Sequence, residues 1–357
     1  MTLNEVSNSM NDQPVLGITM GDALGIGPEI VVKALMDPAI RRAAKYIIFG
    51  MHEQLCFSAD RAEIEAFWCR IQHEKISRNY PSKVIVADYD EYFLPSHLKG
   101  SSRVGGESSI KFCTDAIAAV QAGIIDGVVT APISKTSWNM GGGKWPGHTE
   151  LFADKCKSLR KAMLFVSGPL KLGLATIHEA LFEVRHKFTI GCVYEPIDLV
   201  NTALKEYFGF ETPKIGVAGL NPHAGEDGQF GDEEKRIISP AILLAQEQGI
   251  CCEGPFSADT LFLRAVNGEF DAVIAMYHDQ GLIPIKLLDS KHAVNVTIGI
   301  PIIRTSPAHG TAFDIAGRNQ ADPSSMKSAI RTAIQMIHAK RNRFLGNPLK
   351  ESHANQT

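Results

Sequence analysis

Val15-Leu-Gly-Ile-Thr-Met20 opens the stretch of sequence that decides the fold class, and Gly21-Asp-Ala-Leu-Gly-Ile-Gly27 and Pro28-Glu29 complete it. The apolar run predicts a buried β-strand, and the glycines predict a tight loop after it. A proline near the first helical position and an acid in the first turn are typical of a helix start. A strand that is joined to a helix in this way indicates an α/β protein.

Short apolar runs alternate with longer amphipathic stretches along the rest of the chain, which favours the same architecture. The runs that begin at Gly127, Ile215 and Ala272 predict buried strands, whereas the alternation across 293–298 predicts a half-buried strand. Apolar residues at helical spacing across 326–337 predict a closing helix with one buried side. A length of 357 residues favours two domains.

The bulk composition is that of an ordinary globular enzyme, with 45% hydrophobic and 21% charged residues. Lys and Arg number 36 and Asp and Glu 39, so the net charge of −3 offers no basic field for a nucleic acid. No apolar stretch reaches the roughly 18 residues of a membrane span, so no membrane partner is expected. The seven cysteines are scattered without C-x-x-C spacing, which favours a reducing cytoplasm.

Three histidines each follow an apolar, strand-like run and open a polar or glycine-rich loop. They are His178 after Leu-Gly-Leu-Ala-Thr-Ile, His223 after Ile-Gly-Val-Ala-Gly-Leu-Asn-Pro, and His278 after Ala-Val-Ile-Ala-Met-Tyr. In an open α/β sheet, ligands lie outside the carboxyl ends of the strands, so the three imidazoles could converge there on one divalent metal. A lone histidine after a strand is more often a hydrogen-bonded structural residue, so this hypothesis depends on all three. Asp279 and Glu226 are candidates to orient two of the rings.

Cationic and polar side chains form a second group of candidates, suited to an anionic ligand. Arg304 follows an apolar run, where a solvated arginine is not expected, and its guanidinium suits bidentate capture of carboxylate or phosphate. Lys286 and Asn295 precede it along the chain. At a predicted helix start, Thr149 is expected to be the N-cap, and His148 could donate a hydrogen bond to an anion. For His148 and Lys286, a packed or solvated position without function is equally open.

The segment His309-Gly-Thr-Ala-Phe-Asp-Ile-Ala-Gly317 combines small residues with one acid. The small residues let the backbone approach a ligand closely, and Asp314 could accept a hydrogen bond from a ribose diol. The loop at 21–27 does not follow the G-x-G-x-x-G order, and no matching acid lies downstream of it. A conventional Rossmann nucleotide site is therefore disfavoured.

With these residues in view, the chain resembles the 4-hydroxythreonine-4-phosphate dehydrogenase family (PdxA) of vitamin B6 biosynthesis. The likeness runs from about Val15 to Ile337 and is carried by long motifs in one order. The motifs are Gly-Ile-Gly-Pro-Glu at 25–29, Pro-Gly-His-Thr-Glu at 146–150, Gly-Leu-Asn-Pro-His-Ala-Gly-Glu at 219–226, Ala-Asp-Thr-Leu-Phe at 258–262, Tyr-His-Asp-Gln-Gly at 277–281 and Ile-Arg-Thr-Ser at 303–306. The segment 309–317 is also similar to the nucleotide loop of isopropylmalate dehydrogenases, which share that fold.

The resemblance implies an α/β fold with two α/β/α domains of the isopropylmalate dehydrogenase type and an active-site cleft between them. The first domain, on the nucleotide side, would comprise 14–135 plus 300–340, and the second, on the metal and dimer side, 136–299. Because both ends of the chain are polar, disordered tails are expected at 1–13 and 341–357. The resemblance also implies a homodimer whose metal site is shared between the subunits.

The resemblance assigns roles to individual residues. His178, His223 and His278 match the family's metal ligands, and catalysis would depend on the zinc, magnesium or cobalt ion that they hold. The small phosphorylated substrate would be bound by His148, Thr149, Lys286, Asn295 and Arg304. The cofactor, NAD or NADP, would be bound by Gly310, Thr311 and Asp314, and the acid would approach the adenosine ribose and favour NAD.

The implied reaction is oxidation of 4-phosphohydroxy-L-threonine to 2-amino-3-oxo-4-phosphooxybutanoate, which decarboxylates to 3-amino-2-oxopropyl phosphate. Three positions depart from the family's usual pattern: Ala23 replaces a proline, Ala308 an aspartate, and Ser134 a histidine before Lys135. The serine form is similar to a second branch that oxidises threonate or erythronate 4-phosphate, or aromatic cis-dihydrodiols, so the substrate stays open. A zinc hydrolase or lyase without nucleotide and a non-catalytic small-molecule sensor are the alternatives from other classes.

Overall fold

The computed structural model describes residues 13–95 and 97–344. The chain divides into two compact units, which change over at Gly168/Pro169, Pro284/Ile285 and Ile334/Gln335. Among the described residues, the first unit holds those from 13 to 168 together with 285–334, and the second holds 169–284 together with 335–344. The domain boundaries that the sequence suggested stay predictions. The predicted tails lie outside the described residues except for Gln13 and 341–344, and the last of these positions still belong to a helix.

The strands, numbered in chain order within the described residues, are β1 Val15–Thr19, β2 Lys45–Gly50, β3 Cys69–Gln72, β4 Val84–Asp88, β5 Gly127–Thr130, β6 Ala162–Ser167, β7 Leu170–Leu174, β8 Ile215–Ala218, β9 Cys252–Phe256, β10 Ala272–Ala275, β11 Val294–Ile298 and β12 Ile303–Pro307. The α-helices are α1 Gly27–Met36, α2 Pro38–Ala43, α3 His52–Arg61, α4 Arg103–Gln121, α5 Lys135–Met140, α6 His148–Lys155, α7 Val184–Lys187, α8 Ile190–Tyr207, α9 Ser239–Glu247, α10 Ala258–Val266, α11 His278–Asp289 and α12 Ser324–Phe344. None of the described helices has both the length and the apolar character that crossing a membrane requires.

The first unit contains a sheet with the strand order β3-β4-β2-β1-β5-β12-β11-β6. Its neighbouring strands are parallel except at β11, which runs antiparallel to both β12 and β6. β1, β4, β5 and β12 are buried along their whole length, as expected when helices cover both faces of a parallel sheet. The α/β class predicted from the sequence is confirmed.

The opening stretch forms β1 and α1 as predicted. Pro28 lies in the first turn of α1, with Glu29 beside it and Lys33 in the last turn. The ammonium of Lys33 lies 2.7 Å from a carboxylate oxygen of Glu29, and that oxygen also accepts from the amide of Ala321. The first helix is therefore tied to the segment that follows the predicted nucleotide loop.

Strand β11 is more deeply buried than its alternating sequence predicts. The prediction of a half-buried strand is wrong, because β11 lies in the interior of the sheet between β12 and β6. Thr297 on this strand is only 2% exposed. Polar residues on a buried face cost free energy unless they find partners there, and this face carries the site described below.

The second unit contains a sheet with the order β7-β10-β8-β9, in which all neighbours are parallel. Helices α8 and α10 pack against its strands. His178, His223 and His278 follow the ends of β7, β8 and β10, which is the topological position that the sequence predicts. Because parallel strands end at the same edge of a sheet, the three loops emerge on one side of this unit.

Candidate active site

Arg304 on β12 is a cation buried in the core of the first unit, with 2% of its surface exposed. Its Nε and Nη2 atoms donate to the Thr130 hydroxyl at 3.1 and 2.6 Å, and Nη1 donates to the Thr297 hydroxyl at 3.0 Å. Burial lowers the pKa of Arg304 to about 10. Among the described residues no carboxylate forms an ion pair with it. Its direct partners are hydroxyl groups and the face of Phe152 at 5.7 Å, and the carboxylate of Glu150 acts on its charge without bonding it. Such a site favours an anionic ligand.

His148 begins α6 and places an unsatisfied nitrogen near Arg304. Its Nε2 atom is buried without a hydrogen-bond partner among the described residues, and its ring meets Trp138 edge-on at 5.4 Å. Burial, and next the charge of Arg304, hold the pKa of His148 well below its ordinary value. The imidazole is therefore neutral at pH 7 and offers one nitrogen to a ligand. Thr149 is buried in the first turn, but Gly147 is the N-cap, so the prediction that Thr149 caps the helix is wrong.

Asn295 contributes a second unsatisfied polar group to the same unit. Its Oδ1 atom is buried without a partner among the described residues, and its amide nitrogen lies 3.8 Å from the sulfur of Met163. Asn295 and Thr297 are two residues apart on β11 and share one face of the sheet. Since Thr297 is the register partner of Arg304 and bonds its guanidinium, the Asn295 side chain and the cation lie on the same face.

Lys286 is not brought into this group. It lies exposed on α11, and no ion pair of the described chain involves it. A long side chain of this kind could still act on a bound ligand, but the structure shows no contact for it.

Two of the three predicted metal ligands come together in the second unit. The ring centroids of His178 and His278 are 6.1 Å apart, with the planes tilted by 36°. The Nδ1 atom of His278 lies 2.7 Å from a carboxylate oxygen of Asp279. Because a carboxylate only accepts, that nitrogen carries the hydrogen, and Nε2 is the atom left for a metal.

His223 lies in an unusual loop and is not grouped with the other two rings. Its Nδ1 atom is 3.6 Å from a carboxylate oxygen of Glu226, and its ring centroid is 6.2 Å from that of Phe230. All five residues from His223 to Asp227 have positive φ, a conformation that costs each non-glycine residue about 1–2 kcal/mol. Glu234 stabilises the loop by accepting from the amides of Leu220 and Asn221.

The donor chemistry of these three residues fits a divalent cation. Imidazole nitrogens suit zinc and cobalt, and a carboxylate behind the ring of His278 and another near that of His223 are the usual outer partners of metal-bound histidines. Within residues 13–95 and 97–344, however, no group of three or more His, Cys, Asp or Glu side chains is arranged to hold a metal ion. The structure therefore brings two of the candidate ligands together and places the third on a separate loop.

The predicted nucleotide loop packs against the glycine-rich loop that precedes α1. The amide of Ile26 donates to the carbonyl of Thr311 at 2.9 Å, and a side chain at Gly25 would meet Thr311 at 3.0 Å. Asp314 is exposed, whereas a side chain at Gly310 would meet nothing within 4 Å. The glycine-rich loop at 21–27 and the predicted nucleotide loop at 309–317 are thus neighbours in the first unit.

Sequence reasoning missed the groups that hold the cation. Thr130 and Thr297, which bond Arg304, differ from their neighbours only in being polar residues within apolar strands. It also missed Asp22, which is fully buried and accepts from the Ser137 hydroxyl at 2.6 Å and the Leu24 amide at 3.1 Å. Burial raises the pKa of Asp22. Its partner lies 115 residues away in sequence, so no local pattern could reveal the pair.

Comparison with known proteins agrees with these features. The family model described as pyridoxal phosphate biosynthetic protein PdxA matches residues 42–333. A 4-hydroxythreonine-4-phosphate dehydrogenase from Desulforapulum autotrophicum is 41% identical over 328 residues, 90% of this chain and 95% of that protein. A D-threonate 4-phosphate dehydrogenase from Cupriavidus necator is 38% identical over 327 residues, 90% of this chain and 97% of that protein. The crystal structure of 4-hydroxythreonine-4-phosphate dehydrogenase from Klebsiella pneumoniae matches with a TM-score of 0.81 and 34% identity, covering 91% of this chain and 98% of that chain.

Proposed function

This chain belongs to the family of the pyridoxal phosphate biosynthetic protein PdxA, and from that membership we propose that it is a metal-dependent, NAD(P)-linked dehydrogenase of a small phosphorylated hydroxy acid. Arg304 is the observation that carries the proposal, because it is a buried cation bonded to hydroxyls rather than to carboxylates. An unpaired buried charge costs free energy, and an anionic substrate offsets that cost on binding.

The substrate that we propose first is 4-phosphohydroxy-L-threonine. Its oxidation gives 2-amino-3-oxo-4-phosphooxybutanoate, a β-keto acid that loses CO2 to form 3-amino-2-oxopropyl phosphate. The hydride leaves the carbon that bears the secondary alcohol, and the hydroxyl proton is released. The names of the relatives from Desulforapulum autotrophicum and Klebsiella pneumoniae support this choice.

D-Threonate 4-phosphate is the second candidate, and the relative from Cupriavidus necator supports it. Ser134 is the residue that favours it. The Ser134 hydroxyl accepts from the Ser137 amide and lies 2.9 Å from the Ser101 hydroxyl, so this position caps α5 and offers no imidazole to a substrate. Erythronate 4-phosphate and a cis-dihydrodiol carboxylate belong to the same set of alternatives.

The residues of the first unit would bind and orient the substrate. Arg304 would hold an anionic group through its planar guanidinium. The neutral ring of His148 would donate to or accept from the same ligand, next to the buried Thr149. The Oδ1 atom of Asn295 would accept a hydrogen bond from an ammonium or hydroxyl group. Lys286 would supply a flexible ammonium for the phosphate.

His178, His223 and His278 would hold the divalent cation, for which zinc, magnesium and cobalt are the candidates. A bound cation of this kind supplies Lewis-acid polarisation of the alcohol oxygen. Gly310, Thr311 and Asp314 would contact the dinucleotide, whose nicotinamide accepts the hydride. The carboxylates of Asp279 and Glu226 would fix the ring orientation of two of the histidines.

We also propose that the protein is a homodimer with the metal site shared between its subunits. In a single chain the three imidazoles do not form one group, which is expected of a site that is completed on association. Leu181 and Phe182, directly after the His178 loop, are 61% and 89% exposed, and apolar exposure of this size favours an interface. A cytoplasmic location stays a prediction, and the free state of all seven cysteines is consistent with it.

The test is an assay of NADH and NADPH formation with 4-phosphohydroxy-L-threonine and with the 4-phosphates of threonate and erythronate, in the presence of each metal. The wild-type protein is expected to oxidise one of these substrates. Arg304→Lys is expected to lose that activity, because a lysine ammonium cannot reproduce the paired N–H donors of a guanidinium. Calorimetric titration with NAD, NADP and a divalent metal distinguishes a dehydrogenase from a zinc hydrolase or lyase and from a non-catalytic sensor. Metal binding without any nucleotide binding would favour a zinc hydrolase or lyase and contradict the proposal.

A further inference from the structure

A cavity of about 400 Å³ lies in the first unit beside the predicted nucleotide loop, and positive charge predominates in its lining. Arg61, Lys99 and Arg318 line it, and Asp314 is its carboxylate. The volume lies within the range of about 300–1,000 Å³ that is usual for small-molecule sites. We call it the cationic cavity.

Two of the cations, Arg61 and Lys99, lie against Gly317 at the end of the loop. The Nε atom of Arg61, at the end of α3, donates to the carbonyl of Gly317 at 3.3 Å. A side chain at Gly317 would lie 2.6 Å from the ammonium of Lys99, so the glycine leaves room for that ammonium. The same ammonium lies 5.6 Å from the ring centre of Phe57, and burial lowers the pKa of Lys99. The three positive groups come from separate stretches of the chain.

Two of these cations are not committed to a carboxylate. None of the ion pairs of the described residues involves Arg61 or Arg318, whereas Arg78 of the same unit bonds both carboxylate oxygens of Asp126. Uncommitted arginines that line a concave site are suited to a phosphate, which they bind through parallel hydrogen bonds.

We propose that the cationic cavity recognises the 2′-phosphate of adenosine in NADP, and that the protein therefore prefers NADP to NAD. This inference rests on the proposed dehydrogenase function. A site that binds only NAD needs an acid that accepts hydrogen bonds from the ribose diol, and it has no need of more cations than acids. Asp314 meets that need, but three cations outnumber it and reverse the preference that this acid alone suggests. Phe57 and Phe313 add aromatic surface on which a purine can stack.

The test measures binding rather than turnover. The full chain, without metal or substrate, is titrated calorimetrically with 2′,5′-ADP and with 5′-AMP, and then with NADP and NAD. The phosphorylated member of each pair is expected to bind at least about tenfold more tightly, the worth of one charge-assisted contact. Inorganic phosphate is then added as a competitor. If it competes with 5′-AMP as strongly as with 2′,5′-ADP, the cavity binds a free anion without recognising the 2′-phosphate.

Variants assign the effect to individual residues. Arg318→Ala and Lys99→Ala should each weaken 2′,5′-ADP about tenfold and leave 5′-AMP within about twofold. Asp314→Ser should tighten 2′,5′-ADP by removing a repelling charge. Arg42→Ala removes an exposed arginine of the same unit that does not line the cavity, and it should change neither affinity. Arg61 is replaced by lysine rather than alanine. Arg61→Lys keeps the positive charge in case loss of the hydrogen bond to Gly317 disturbs the loop.

Two results would overturn the inference. Equal or tighter binding of 5′-AMP and NAD would show that the cations do not read a 2′-phosphate, and NAD-linked turnover would then leave the dehydrogenase proposal intact. Failure of both 2′,5′-ADP and NADP to bind the folded protein would also overturn it. Absence of turnover with either dinucleotide, despite 2′-phosphate discrimination in binding, would instead count against the proposed reaction.

Discussion

Replacing Arg304 by methionine should abolish anion binding at little cost in stability. The ordinary pKa of 12.5 falls to about 10 in the protein. At about 1.4 kcal/mol per pKa unit, burial works against the charged form by roughly 3 kcal/mol. Methionine removes that cost together with the hydrogen bonds to Thr130 and Thr297, which are of similar worth. The free energy of unfolding should therefore change by less than about 2 kcal/mol in either direction.

The effect on function should be much larger. Loss of two charge-assisted hydrogen bonds to the substrate raises the barrier by about 3 kcal/mol or more, so kcat/KM should fall at least about 100-fold. Denaturant unfolding with and without substrate gives an independent measure. A ligand at about 100 times its Kd stabilises the wild type by about 2.7 kcal/mol, and Arg304→Met should gain nothing.

Arg78→Met is the matched control, because Arg78 is held in the same unit by the carboxylate of Asp126. Its loss should destabilise the protein by about 1–2 kcal/mol and leave kcat/KM unchanged. If Arg304→Met instead costs about 3–5 kcal/mol, the loss typical of a broken buried ion pair, the arginine is structural and the reasoning fails. Retention of full activity would refute it equally.

Three further outcomes follow from the same contacts. His148 is buried neutral, so the unfolded chain takes up a proton below about pH 6.5 while the folded protein does not. Relative to His148→Gln, the wild type should lose up to about 1.4 kcal/mol of unfolding free energy per pH unit in that range, and parallel pH profiles would contradict this. His278→Ala should lose metal binding and metal-dependent NAD(P) reduction while keeping its melting temperature, and full turnover after chelation would rule the site out. Glu234→Ala should cost about 1–3 kcal/mol, because two loop amides lose their acceptor, and should weaken metal binding measured by titration more than Glu234→Gln does.

The fold could be predicted where burial produced a continuous apolar run. β1, β5 and β10 lie inside their sheets and appear in the sequence as such runs. β3 and β9 gave no comparable signal, because they lie at the edges of the two sheets and most of their residues are not buried. The alternation of polar and apolar residues in β11 predicts a half-buried strand, whereas four of its five residues are buried.

The candidate site could be predicted only as a set of residue types. Arg304 stood out because a charge followed an apolar run, and the structure places it in the core as that argument requires. The loop at His223 could not be foreseen, since a run of positive φ values from His223 to Asp227 has no local sequence signal. The carboxylate of Glu234, which accepts from the neighbouring amides, lies 13 and 14 residues from them in sequence. Arg61, Lys99 and Arg318 are exposed residues from three separate stretches of the chain, and only the tertiary fold brings them to one cavity.

Unsatisfied polar atoms distinguish the proposed substrate site from an ordinary core in this protein. Among the described residues four buried side-chain atoms lack a partner, and two of them, in His148 and Asn295, belong to residues predicted to bind substrate. Because native proteins pair the great majority of their buried polar groups, two such atoms near Arg304, which has hydroxyl partners but no carboxylate partner among the described residues, require an explanation beyond packing. Apolar residues at these positions would make a more stable sheet, and the anionic substrate that we propose would contact His148, Asn295 and Arg304 together.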